Sequence, residues 1–116
     1  AAAHAYKRGI KTLVMGVSQT DYSGYPDCRR DTIDKLELAI NAGMEYDVTI
    51  LTPLIDKSKK ETVELAIKVE AMEAMALTHT CYNGEQPPCG ACPACELRAK
   101  GFSEAGVNDP LIKRFK

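Results

Sequence analysis

The stretch Thr80–Cys95, T-C-Y-N-G-E-Q-P-P-C-G-A-C-P-A-C, decides how the second half of this chain is ordered. It holds four of the five cysteines, Cys81, Cys89, Cys92 and Cys95, and the last three form two overlapping C-x-x-C units. Two thiolates with two residues between them can turn back around one ion, and four thiolates make the closed tetrahedron typical of structural zinc. Glycines and prolines fill the remainder, so we expect zinc binding to be coupled to the folding of this loop.

Two other interpretations of the cysteines stay open at the level of sequence. A C-x-x-C-x-x-C-P run is also typical of iron–sulfur ligation, although proline here follows Cys92 rather than Cys95. Disulfide bonds are the second alternative, but nothing else in the chain indicates a secreted protein. We interpret the four cysteines as the ligands of a structural zinc ion.

The composition excludes several classes of function. Hydrophobic residues make up 45% of the 116 residues, charged residues 27%, and the formal net charge is -1. This charge provides no basic field for a nucleic acid, so we expect no nucleic-acid partner. The longest apolar run, Leu13–Val17, is too short to cross a membrane, and no signal-peptide pattern opens the chain. We therefore expect a cytoplasmic protein without a membrane partner.

Short apolar runs alternate with helical patterns ahead of the cysteines. Ile10–Val17 predicts a buried strand of a parallel sheet, and Tyr46–Leu51 predicts a second strand. Between them, Asp31 is a candidate N-cap for a helix that Gly43 would end. This alternation predicts an α/β layer with a parallel sheet, to which the zinc loop is appended.

Further helices are predicted on both sides of the cysteine-rich stretch. Ser58–Glu61 matches a capping box and predicts a helix running to about Val69. A shorter helical piece follows over Met72–Leu77. Beyond the cysteines, Glu96–Ala105 has helix-forming composition, and Gly101 and Gly106 are expected to break it.

The first nine residues, Ala1–Gly9, have the signals of a helix end. They are alanine-rich, carry basic residues in the last turn and finish on glycine. Because the sequence does not begin with methionine, we expect it to start inside a larger fold.

Three blocks of sequence resemble the C-terminal half of the 7-cyano-7-deazaguanine synthase family. The first is G-V-S-Q-T-D-Y-S-G-Y-P-D-C-R at Gly16–Arg29, and the second is T-P-L from Thr52 with K-K-E-T from Lys59. The third is L-T-H-T-C-Y-N-G with P-P-C-G-A-C-P-A-C-E-L-R-A-K-G-F, within Leu77–Phe102. The resemblance implies a Rossmann-like, adenine-nucleotide α-hydrolase-like fold with a parallel sheet.

The resemblance also implies a function and a domain organisation. Members of this family convert 7-carboxy-7-deazaguanine, ammonia and ATP into a nitrile, a queuosine precursor. By this resemblance, residues 1–79 are the C-terminal part of the α/β nucleotide-binding domain, and residues 80–116 are the zinc loop and a C-terminal helical region. It further implies ATP with magnesium as cofactor, a zinc held by the four cysteines, and a homodimer.

A polar loop follows the first predicted strand, at the edge where open α/β sheets bind ligands. Arg29 can pair with the substrate carboxylate, an aspartate can hold the guanine-like edge or take a proton from ammonia, and the tyrosines can stack on the heterocycle. The alternative is that the loop only makes turns. The substrate-binding candidates are Asp21, Tyr22, Ser23, Tyr25, Asp27 and Arg29.

Lys59 is the candidate for an ATP phosphate, since it matches a lysine of the family; its alternative is a solvated first-turn lysine. The chain lacks the S-G-G-x-D-S loop with which the family binds pyrophosphate, so we expect it to bind ATP poorly alone. No residue is assigned as catalytic. Two other functions stay open: a non-catalytic zinc-stapled binding module, and another pyrophosphate-loop enzyme such as one that modifies tRNA.

Overall fold

The computed structural model describes residues 1–19 and 25–115. Its contacts divide the chain into two compact units, Ala1–Asp56 and Lys57–Lys116. The predicted division of the chain by function, after residue 79, is a different boundary and stays a prediction. No helix in the described part of the chain is both long enough and apolar enough to cross a membrane.

The first unit contains a two-stranded parallel sheet. Strand β1 (Thr12–Val14) pairs with β2 (Thr49–Leu51), and Leu13 lies opposite Ile50. The predicted parallel arrangement is confirmed, although both strands are shorter than the apolar runs that predicted them. The predicted burial of the first strand was wrong, because Thr12 and Val14 are exposed. Strand β2 ends because the chain turns at Pro53, where the Ile55 N–H donates to the Thr52 carbonyl at 3.1 Å.

Two helices accompany this sheet, α1 (Ala2–Lys7) and α2 (Arg30–Met44). The predicted N-cap was wrong: Arg29 holds the cap position, and Asp31 lies in the first turn with its carboxylate 2.7 Å from Lys35 Nζ. Gly43 does not end α2 either. The helix continues to Met44, and Glu45 takes the left-handed C-cap conformation at φ 46°.

Helix α2 covers the outer edge of β2 with two side chains spaced one turn apart. Asn41 accepts a hydrogen bond from Val48 N–H and donates one to the Val48 carbonyl, both at 2.8 Å. The Glu37 carboxylate accepts from Ile50 N–H at 2.5 Å. Since a strand edge carries unpaired backbone groups, these contacts satisfy β2 where no neighbouring strand does so in the described residues. Beneath the sheet lies an aliphatic core formed by Ile33, Ile50 and Ile55, with Met15, Val17 and Ile40 packed against it.

The second unit contains four helices: α3 (Lys59–Lys68), α4 (Met72–Met75), α5 (Pro93–Glu104) and α6 (Pro110–Lys113). The capping box at Ser58 and Glu61 is confirmed, and α3 ends with Val69 as its C-cap, as predicted. Helix α5 begins three residues earlier than its composition indicated. It can do so because proline suits the first helical position, where no N–H is needed.

Gly101 is not the helix break that the sequence predicted. It is buried within α5, where α3 packs against α5. A Cβ atom built on Gly101 would lie 2.6 Å from the Cβ of Lys59 and 3.2 Å from its carbonyl carbon. Glycine is therefore required here for the close approach of two helices, and not for a turn.

Arg98 is the polar centre of the second unit. The residue is 7% exposed, and its Nε and Nη2 atoms donate to the two carboxylate oxygens of Asp109 at 2.5 and 2.9 Å. Its remaining donors reach Thr78 Oγ1 at 2.9 Å and the Met75 carbonyl at 3.2 Å. One guanidinium thus joins α5 to the end of α4 and to Asp109, which caps α6.

Candidate metal centre

The four cysteines of the loop converge on one point. The sulfur atoms of Cys81, Cys89, Cys92 and Cys95 all lie within 4.8 Å of one another, and three of the residues are buried. Bonds of about 2.3 Å to a tetrahedral zinc ion place sulfur atoms about 3.8 Å apart. The Sγ atoms of Cys89 and Cys95 are 3.9 Å apart, so the ligand set fits one such ion.

Local backbone geometry makes this convergence possible. Cys92 is the N-cap of α5 and Cys95 lies in its first turn, so the helix start presents two ligands. Gly84 and Gly90 adopt positive φ values of 68° and 72°, which reverse the chain after the first and second cysteines of the loop. In the turn between Cys89 and Cys92, the Cys92 N–H donates to Cys89 Sγ at 3.3 Å.

The thiols of the loop differ in pKa. A hydrogen bond from the Cys89 backbone N–H lowers the pKa of Cys81 to about 6, and one from the Tyr82 backbone lowers the pKa of Cys92. Burial raises the pKa of Cys95 to about 12. Backbone donors thus favour the thiolate, the form that binds metal, at two positions. A bound cation would offset the cost of ionising Cys95.

The structure separates the alternative interpretations of the cysteines. All five cysteines are free thiols, so the loop is not held by disulfide bonds. A multi-iron cluster bound through one thiolate per iron would hold its ligands farther apart than thiolates that share one ion. The mutual spacing within 4.8 Å therefore favours a single ion.

His79 stays outside the ligand set. Its Nε2–H donates to the carbonyl of Glu85 at 3.0 Å. The contact ties the segment before Cys81 to the turn that follows it.

The substrate-binding candidates are only partly described. Asp21, Tyr22 and Ser23 lie outside the described residues. Tyr25 and Arg29 flank a short 3-10 turn, Pro26–Cys28, and Asp27 lies within it. All three residues are exposed. The turn is held against α2 by the Thr32 hydroxyl, which donates to the Pro26 carbonyl at 2.6 Å. Their roles toward a substrate stay predictions.

Gln19 is an organising residue that the sequence reasoning missed. Its side-chain amide donates to Asp56 at 2.6 Å and accepts from the Arg30 N–H at 3.0 Å, while its own N–H reaches the Ile55 carbonyl at 2.8 Å. Gln19 therefore joins the segment after β1, the segment after β2 and the start of α2. Its position inside the S-Q-T-D block was the available signal.

Lys59, the phosphate candidate, is the first residue of α3 and is half-buried. The Ser58 side chain accepts from Glu61 N–H, and the Glu61 carboxylate accepts from Ser58 N–H, so this helix end is firmly capped. Hydrogen bonds from Ser58 hold the pKa of Glu61 below its ordinary value. The backbone that carries Lys59 is therefore well defined.

Comparison with known proteins gives a consistent result. The family model described as "Queuosine biosynthesis protein QueC" matches residues 1–106. The chain is 63% identical to the 7-cyano-7-deazaguanine synthase of Chromobacterium violaceum, over 98% of this chain and 49% of that protein. It is 60% identical to the synthase of Laribacter hongkongensis, over 99% of this chain and 50% of the relative. The chain thus spans about half the length of the curated relatives it matches.

Proposed function

The chain belongs to the QueC family, and from that premise we propose that it forms part of an ATP-dependent ligase that makes 7-cyano-7-deazaguanine. The substrates would be 7-carboxy-7-deazaguanine, ammonia and ATP, and the product a queuosine precursor. The 63% identity to a 7-cyano-7-deazaguanine synthase over 98% of this chain carries the proposal. Because the match covers 49% of that relative, the proposal concerns a protein of the relative's full length.

The metal in this proposal is a structural zinc ion held by Cys81, Cys89, Cys92 and Cys95. Four thiolates complete a tetrahedron and leave no coordination position for a reacting water, so the zinc would stabilise the loop without catalysing a step. The sulfur spacing and the backbone donors to these thiols support this assignment. We also propose a homodimer, as the family resemblance implies, and a cytoplasmic location, as expected from the sequence composition.

The proposed reaction suggests roles for the candidate ATP-binding and substrate-binding residues. A carboxylate becomes a nitrile only after its oxygens are turned into leaving groups, and ATP activation requires positive charge around the phosphates, from magnesium and basic side chains. Lys59 would supply one such charge. Arg29 would pair with the substrate carboxylate, and Asp21 or Asp27 would bind the guanine-like edge or accept a proton.

The activity is tested on the full-length, metal-loaded protein that contains this chain. Mass spectrometry should detect the nitrile only when the carboxylate substrate, ammonia and ATP are all present. Absence of product and of substrate-dependent ATP turnover, with the metal in place, would overturn the proposed function.

The roles of zinc and Lys59 need separate measurements. Metal analysis should give one zinc per chain, and the protein should be colourless, whereas an iron centre absorbs visible light. Lys59→Met should raise the KM for ATP. The matched control is Lys60→Met, since Lys60 is exposed and its Nζ lies 3.6 Å from Glu64, one turn along the same helix. Equal kinetics for the two variants would remove Lys59 from the nucleotide site.

A further inference from the structure

The contact between Gly101 and Lys59 is closer than any other side chain at position 101 would permit. An added Cβ would meet Lys59 Cβ at 2.6 Å, and the Lys59 carbonyl oxygen at 3.3 Å. Neither atom is the mobile end of a side chain, so relief would require movement of a helix backbone. Gly101 therefore fixes how closely α5 approaches the first residue of α3.

The same helix carries two of the metal ligands. Cys92 is the N-cap of α5, Cys95 lies in its first turn, and Gly101 follows Cys95 by six residues, which is about 9 Å along a helix axis. Arg98 lies between them and is buried, with its hydrogen bonds to Asp109 and Thr78 holding α5 in place. A displacement of the cysteine end of α5 is thus carried to Gly101 by a rigid element.

Lys59 is constrained from its other side by the capping box. Ser58 and Glu61 set the backbone at the start of α3, and Gly101 abuts the Cβ from which the lysine side chain extends. The direction in which this side chain leaves the helix therefore depends on two supports, and one of them is α5.

We propose that Gly101 is a positioning residue, through which the four-cysteine centre sets the direction of Lys59. The inference rests on the proposed role of Lys59 at an ATP phosphate, and it adds that the structural metal acts on that role through α5. A small displacement of a group that contacts substrate is enough to weaken its action, because electrostatic contacts to phosphate depend on placement within about 1 Å.

The test compares two glycine-to-alanine variants of the full-length enzyme. Gly101→Ala adds the colliding methyl group. Gly43→Ala is the matched control, because Gly43 also lies in a helix but its added Cβ would meet nothing within 4 Å. Gly101→Ala is expected to raise the KM for ATP by about tenfold. Its kcat, metal content and KM for the carboxylate substrate should change little, and Gly43→Ala should resemble the wild type. An unchanged KM for ATP in a metal-loaded Gly101→Ala enzyme overturns the proposal.

A second measurement needs no substitution and applies even if Gly101→Ala fails to fold. Hydrogen exchange of the wild-type enzyme is followed with the metal bound and after chelation, under conditions in which circular dichroism shows that the helices remain folded. The amides of residues 61–63, in the first turn of α3, should lose more protection than those of residues 66–68 in its last turn. Equal changes in the two turns overturn the coupling. If Lys59→Met leaves the KM for ATP unchanged, the proposed role of Lys59 fails, while the exchange experiment still decides whether α5 controls the start of α3.

Discussion

The two units of this chain are stabilised by different physical means. The first unit closes over an aliphatic cluster in which Ile33 and Ile55 are 2% exposed and Ile50 is 6% exposed. The second unit also buries apolar residues, among them Phe102, but its least exposed groups include three thiols and the guanidinium of Arg98.

This difference determines which changes destabilise each unit. Burial of aliphatic groups is non-directional, and its contribution to stability does not depend on pH or on a metal. Thiolates and a buried guanidinium stabilise only when each partner is present and correctly ionised. The second unit should therefore be the one that metal removal and single polar substitutions disrupt.

The largest effect is expected from loss of a metal ligand. Cys92→Ser should abolish stoichiometric zinc binding and remove most of the roughly 10 kcal/mol that a structural zinc site contributes. Activity of the full-length enzyme should fall as a consequence. Metal analysis and urea unfolding measure the two effects. Cys28→Ser is the control, since Cys28 lies outside the ligand set. Zinc loss with unchanged stability and activity would show that the site has no scaffold role.

Breaking the buried ion pair should have the next largest effect. Arg98→Met leaves the Asp109 carboxylate buried without its guanidinium and should lower the free energy of unfolding by about 4 kcal/mol. The control is Lys100→Met on the same helix, because Lys100 is exposed and its pair with Glu104 is worth well under about 1 kcal/mol. Equal stability of the two variants, measured by urea unfolding, would contradict the central role of Arg98.

A core substitution in the first unit sharpens the contrast. Ile33→Ala should lower the free energy of unfolding by about 3 kcal/mol, through lost apolar burial and an unfilled cavity. Zinc content and its resistance to chelators should not change. The exposed Leu38, on the same helix, provides the control Leu38→Ala, which should alter stability by less than about 0.5 kcal/mol. Loss of zinc in Ile33→Ala would mean that the two units do not respond independently.

The smallest effect concerns the start of α3. Ser58→Ala should lower stability by about 1 kcal/mol at neutral pH, because the N-cap hydroxyl is lost. Since the folded pKa of Glu61 is lowered from 4.5, the contribution of the capping box is complete above that pH and declines as the pH falls below it. The difference in first-turn hydrogen exchange between wild type and variant should therefore narrow from pH 7 to pH 4. Ser103→Ala, inside α5, is the matched control; a difference independent of pH would contradict the Glu61 linkage.

Features encoded over a few adjacent residues were predictable. The cysteine spacing indicated a single-ion thiolate site, and S-K-K-E indicated the start of α3. The order of apolar runs gave the parallel pairing of β1 and β2. Errors arose where tertiary contacts override local preference. Glycine at position 101 predicted a break in the helix, yet the packing of α3 on α5 requires a residue without a side chain there.

The sequence by itself determined the family, the four-cysteine group that could hold a metal ion and the alternation of strands and helices, because each depends on short-range spacing or on matched blocks of sequence. Only the tertiary structure decided which residues that are not sequence neighbours meet: Gln19 with Asp56, Arg98 with Asp109, and Gly101 with Lys59. No local pattern specifies such pairs, since they depend on how helices pack after they form. The position of Lys59 depends on both local sequence and tertiary packing. The capping box next to it sets its backbone, and Gly101, which is distant in sequence, packs against its Cβ.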